Sequence, residues 1–458
     1  MRKLLTIILL VFAGSLWAQE SDLHADFRGE SERLHANCFQ SPAGCALVLF
    51  TDHPLHIAVG SIAPQNGFGA GLAFVSHKTP SERWRLSWSM DAIGTPNTSW
   101  RAGAYMKIIH TPVKTIRPIT STSGTVPKSN LAVHEYTIIS LYSQAISLNK
   151  LNYFGIGPDT TRSTQSVFGQ TETILGGNAV VPIHHPLNVS LTGEVNGRFV
   201  EIRGNHNVSN PSIEQVFDNV TAPGLTQQPG FLQFGEGIRI RPSFFNNYVR
   251  LNYQLNFQQF IAPSDSSNSF RRLTADLSHE FPLYHNVQSA GPRDFNGPNE
   301  CASGVGEKCP PLATSVNRNG TIGLRFLASE SIVPAGHIVP FYFQPTLGGS
   351  NINGNLMLGS YEDYRFRAPN VMFLRESFEH SIYGPLGLTF SADQGTLGVA
   401  RGDLGEHFKH SYSTGLTLRA GGFPQVFVVF AWGGGEGSHT TANINTSLLG
   451  GSSRPSLF

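Results

Sequence analysis

Residues 249–258 read Val-Arg-Leu-Asn-Tyr-Gln-Leu-Asn-Phe-Gln, an alternation without a fault. Val249, Leu251, Tyr253, Leu255 and Phe257 fall on one side; Arg250, Asn252, Gln254, Asn256 and Gln258 fall on the other. Successive side chains of a β-strand point to opposite faces, so such a segment has one apolar and one polar wall. The pattern recurs. Residues 84–92 alternate throughout. Trp100, Ala102, Ala104, Met106 and Ile108 share a face opposite Arg101 and Lys107. Leu191, Val195 and Phe199 oppose Ser190, Thr192, Glu194, Asn196 and Arg198.

A soluble antiparallel sandwich alternates too, so length and composition must separate the two. Several runs reach ten or more residues, whereas soluble strands average about 5–6 and tilted membrane strands need about 9–11. Charged residues are 14% of the 458, beside 48 glycines and 31 phenylalanines. An ordinary soluble domain carries about 25% charge, and a wall facing lipid has no use for it. The mean hydropathy is slightly negative, which excludes a bundle of membrane helices. A net charge of +1 leaves no basic excess to neutralise phosphates, so no nucleic acid is expected as a partner.

The first residues read as a secretory signal, 1–18: Arg2 and Lys3, an apolar run over 4–13, and Ala18 at the cleavage position. That run is too short to anchor in a bilayer. Residues 19–60 read as a lead-in too short for a periplasmic domain, and 61–458 as the barrel. Cys38 with Cys45 and Cys301 with Cys309 read as two local disulfides of an exported chain. Their spacing is not that of a zinc site. Fifteen strands are expected, near 66–77, 82–93, 98–110, 133–149, 165–182, 188–203, 230–243, 246–260, 268–281, 317–328, 338–345, 370–380, 384–392, 411–420 and 424–436; residues 55–62 supply a sixteenth. The long connections are 111–132, 204–229, 282–316 and 346–369, expected on one side with tight turns on the other. The expected fold is all-β: a single transmembrane antiparallel barrel of sixteen strands with long extracellular loops.

Residues 341–395 organise the rest. They read Phe-Tyr-Phe-Gln-Pro-Thr-Leu-Gly-Gly, a polar run to Tyr364, Arg365-Phe366-Arg367, two short apolar segments, and Asp393-Gln394-Gly395. A strand runs into a glycine pair, a long basic loop follows, and the chain returns as a hairpin. This resembles the segment around the sixth extracellular loop of BamA/TamA-type outer-membrane barrels, the bacterial surface antigen family. Gly348 and Gly349 are similar to the pair that starts that loop. Residues 361–367, with Arg365 and Arg367, are similar to its tail, and Asp393 and Gly395 to the Asp-x-Gly closing the next hairpin. Asn152-Tyr153-Phe154-Gly155-Ile156-Gly157 resembles the glycine turn near the middle of such barrels. Where the family carries an arginine–glycine pair, this chain has Gly359 and Ser360. The resemblance gives that arginine inner-wall acids as partners, Asp393 being the matching one. The latch is therefore absent here, or Arg365 or Arg367 replaces it. The Glu-x-Arg usual in the next strand is also disturbed, reading Arg375-Glu376-Ser377-Phe378-Glu379.

The resemblance implies a bacterial outer-membrane protein of the assembly or translocation kind, without the periplasmic repeats. Its implied partners are membrane lipid and unfolded outer-membrane proteins, or a separate periplasmic protein. Such factors work through a weak seam between first and last strands, where a client strand can add. Gly67-Phe68-Gly69-Ala70-Gly71 and Gly433-Gly434-Gly435 are compatible with its edges. The alternative is a passive or structural pore narrowed by 346–369. No enzyme is expected, since there is no Gly-x-Ser-x-Gly and no His-Glu-x-x-His. His407 and His410, with Asp403 and Glu406, surround Lys409 in a polar connection and read as a solvated loop; no metal and no cofactor is expected. Phe458 stands where such barrels place an aromatic insertion signal, although Pro455 is out of keeping with a strand.

Overall fold

The computed structural model describes residues 54–81, 83–111, 136–184, 187–206, 209–245, 248–290, 314–383, 386–420, 423–444 and 455–457, with a few positions between 28 and 35. The segment read as a signal peptide, the four cysteines and Phe458 lie outside them.

Among the described residues the alternating runs become sixteen antiparallel strands in one meander. The first half comprises β1 (Leu55–Ser61), β2 (Phe68–Ser81), β3 (Trp84–Gly94), β4 (Trp100–His110), β5 (Thr137–Tyr153), β6 (Ser166–His184), β7 (Val189–Gly204) and β8 (Phe231–Ile240). The second comprises β9 (Val249–Ile261), β10 (Phe270–Ala290), β11 (Thr314–Ile332), β12 (Asn370–Tyr383), β13 (Leu386–Gly398), β14 (Lys409–Ala420), β15 (Phe423–Trp432) and β16 (His439–Ile444). Each pairs with the next, and β8 continues after a break as Ser243–Phe244, still paired to β9. β1 and β16 come alongside one another. No strand pairing joins them among the described residues, so the barrel is nearly closed.

Parity sorts the side chains as the alternation requires. On β7, Ser190, Asn196 and Arg198 are buried in the interior, while Leu191, Val195 and Phe199 stand out from the outer surface. Outward Leu72, Met90, Leu175, Leu255, Phe390 and Leu416 continue that apolar surface round the barrel. Inward Arg101, Gln144, Glu172, Gln233 and Arg272 make a polar lining. Arg198 Nη1 donates to Glu172 Oε1 at 2.6 Å, and its Nε donates to Gln233. Gln233 and Gln258 both donate to Glu194 Oε1, at 2.7 and 2.6 Å. No described helix is long and apolar enough to cross a membrane.

The strand total is as expected, but two elements differ. Residues 338–345 are not a strand: Phe341–Phe343 is one 3-10 turn, because Pro340 and Pro345 lack the N–H a ladder needs. The last strand is β16, whose polar His-Thr-Thr-Ala-Asn-Ile carries too few apolar residues to announce itself. The first strand among the described residues starts at Leu55, where the expected sixteenth strand lay. Antiparallel strands leave alternate ends, so the long connections after β7 and β11 lie at one end, while 112–135 and 291–313 lie outside the described residues. Gly67–Gly71 and Gly433–Gly435 do not edge the seam; the first group enters β2 and the second follows β15.

Candidate functional site

The connection after β11, residues 333–369, turns into the barrel. Its aromatic turn fills the lumen at that end. The Phe341 ring meets Tyr153 and Phe168 edge-on at 5.1 and 5.2 Å, and Phe343 meets Phe231 edge-on at 4.8 Å. Arg272 of β10 donates to the Phe343 carbonyl at 2.6 Å and lies over the Phe260 and Phe270 rings. A short ladder then pairs Thr346–Leu347 with Phe366–Arg367, and residues 348–365 loop between its strands.

Gly348 and Gly349 open that loop with φ of 96° and 58°, the left-handed region where a side chain is strained. A Cβ on Gly349 would also sit 2.5 Å from the Asp363 backbone nitrogen. Gly349→Ala is therefore expected to lower stability by about 1–3 kcal/mol, read as a lower unfolding midpoint in detergent. Asp363 accepts from the Ser350 N–H at 2.8 Å, and burial pushes its carboxyl above the usual range.

Both loop arginines are buried. The Arg365 guanidinium takes Glu436 of the β15–β16 connection, with Nε at 2.9 Å and Nη2 at 2.8 Å. It also donates to Thr160 and stacks over Phe154 and Phe366 at 4.8 and 4.5 Å. Arg367 Nη1 donates to the Phe341 carbonyl at 2.6 Å. Burial brings Arg367 down to about 10, so it stays charged at neutral pH. Its own carbonyl accepts from the Gly157 N–H at 2.8 Å, joining the Asn152–Gly157 turn to the loop.

Asp393 is not a turn residue; it lies within β13, buried and facing the loop. Neither Arg365 nor Arg367 reaches it. Its partner is Arg375, directly across the β12–β13 ladder, which donates from Nε and Nη2 at 2.7 Å each. Asp393 Oδ2, which takes Arg375 Nη2, also accepts the Leu358 N–H at 3.0 Å, and Arg375 Nη2 donates to the Leu356 carbonyl at 2.8 Å. The ion pair thus holds the loop by its backbone. Ser360 N–H donates to Ser411 Oγ at 2.9 Å. Gly395 leaves room: a Cβ there would lie 2.9 Å from Leu347. Arg375, Glu436 and Thr160 were missed as loop partners. Arg375 stood in the disturbed motif, but its pairing needed the strand register. His407 turns to Asp159 at 3.2 Å, away from His410, which packs beside Tyr412.

No family model and no curated protein sequence matches the chain. Solved structures do. Its structural neighbours are BamA and CdiB barrels. CdiB from Acinetobacter baumannii aligns with a TM-score of 0.46 and 11% identity, over 85% of this chain and 59% of that one. BamA from Haemophilus ducreyi lacking POTRA domains 1–3 gives 0.46 and 10%, over 85% and 69%. CdiB from Escherichia coli gives 0.47 and 13%, over 86% and 62%. The chain therefore spans less than two thirds of either CdiB.

Proposed function

We propose that this chain is a bacterial outer-membrane barrel that helps other outer-membrane polypeptides into or across the membrane, by pairing an incoming strand at the β1–β16 seam. The observation that carries this reading is the seam itself. Adjacent strands everywhere else share a ladder, whereas β1 and β16 lie side by side without one among the described residues. Backbone groups along such edges have no water to turn to in lipid, so an added strand is favoured there. The apolar outer surface fits a lipid partner, and the client is an unfolded outer-membrane polypeptide, delivered alone or by a separate periplasmic protein.

A passive pore is the weaker reading, because the loop fills the lumen and is tied to the wall by Asp393 and Glu436. The test is a set of cysteine pairs, one in residues 57–61 and one in 439–442, in the protein reconstituted into vesicles. Oxidation should lock the seam and abolish its acceleration of insertion of an unfolded barrel protein, with recovery on reduction. Equal acceleration by locked and reduced protein would sink the reading.

A further inference from the structure

A second polypeptide segment lies in the lumen. Residues 455–457 meet the tip of the loop at Asn353 and the wall at Arg198. Ten residues, 445–454, separate β16 from Pro455, a length that reaches up to about 33 Å. Pro455 and Leu457 are buried.

The hydrogen bonds that the loop and the wall make to the segment go to its main chain. Asn353 Nδ2 donates to the Leu457 carbonyl at 2.5 Å, and the Leu457 N–H donates to Asn353 Oδ1 at 2.8 Å. One carboxamide thus supplies a donor and an acceptor as a neighbouring strand would. Arg198 Nη2 donates to the Ser456 carbonyl at 2.8 Å. That guanidinium is a built donor: Glu172 and Gln233 take its other nitrogens, and its side chain is 1% exposed. Leu457 shares an apolar cluster with Ile62, Ala63, Ile146 and Ile352. Cavities of about 550 and 590 Å³ flank the segment, one beside Leu457 and one beside Ser456.

We infer that the lumenal groove formed by Asn353, Arg198 and Ile352 is a binding site for an extended polypeptide, filled in this structure by the chain's own residues 455–457. Main-chain contacts make the site tolerant of sequence, and the Leu457 pocket asks for one apolar side chain. The self-segment is a resident occupant that another extended polypeptide displaces. This does not depend on the seam: strand addition is read by client insertion, groove occupancy by peptide binding.

The probe is a fluorescein-labelled synthetic peptide of residues 451–458. Its binding is measured by anisotropy to the full chain, to a chain ending at residue 450, and to that shortened chain carrying Asn353→Ala. Folding of each is checked by the gel shift on heating. The shortened chain should bind saturably and the full chain at least tenfold more weakly. Asn353→Ala should cost about tenfold, as two neutral hydrogen bonds are lost. A peptide with Leu457→Asp should bind more weakly still, and one with Ser456→Ala unchanged. Absence of saturable binding to the folded shortened chain, or equal binding to all three proteins, overturns the inference. Should the shortened chain not fold, Ile352→Cys with Leu457→Cys in a full chain whose native cysteines are serine carries the test. Peptide added before oxidation should lower the crosslinked yield, and an unaltered yield at high peptide overturns the proposal.

Discussion

Arg198→Ala is expected to cost about 3–5 kcal/mol of barrel stability. The substitution strands Glu172, whose side chain is 1% exposed, in a lining where Gln233 and Glu194 already compete for donors. A buried charge without its partner is far costlier than no pair at all. The double variant Glu172→Met/Arg198→Met removes both charges and should therefore recover most of the loss. Urea unfolding in detergent micelles, followed by heat-dependent gel mobility, measures both. A double variant as unstable as Arg198→Ala would show that packing rather than charge carries the effect.

Asp393→Ala should release the loop from the wall. It removes both carboxylate acceptors of Arg375, leaving the Leu356 carbonyl, and the partner of the Leu358 N–H together. The pair is less enclosed than Glu172–Arg198, since Arg375 is 22% exposed in its side chain, and the loss should be about 2–4 kcal/mol. The functional effect should be larger than the energetic one. With the latch gone, residues 348–364 keep the Arg365 anchor, the Ser360–Ser411 hydrogen bond, the Tyr364 hydroxyl on the Pro64 carbonyl and their short ladder. Planar-bilayer conductance should rise from a low baseline, and protease should cut within 348–364 in the folded barrel. Asp393→Asn keeps an acceptor for Leu358 but loses the charge, and should fall between. An Asp393→Ala barrel that stays closed would place the latch at Arg365–Glu436 instead.

Much of the barrel was legible in order of residues, because strand parity is a local property. Val249 through Gln258 alternate whether or not their neighbours are known, and the same holds for residues 84–92 and for β7. The exceptions share a cause. Residues 338–345 look like a strand by apolarity, but two prolines and an aromatic cluster in the lumen make them a turn. Residues 439–444 look like a polar connection, yet β15 supplies the ladder that makes them a strand. In both, the partner decided the element.

The site was less legible. Gly348, Gly349 and Gly395 announce close approach, and Arg365 and Arg367 announce charge, but none names what it meets. Asp393 finds Arg375 only through the register of two strands. Arg365 finds Glu436 across 71 residues of chain, and Arg198 finds Ser456 across 258.

What the order of amino acids determined alone was which side chains face in and which face out, since that needs only the geometry of one extended strand. The three-dimensional structure decided how the first and last strands meet, what ties the loop, and which segment enters the lumen. Each of those is a contact between parts of the chain far apart, and its free energy exists only once the sheet has curled round and brought them together.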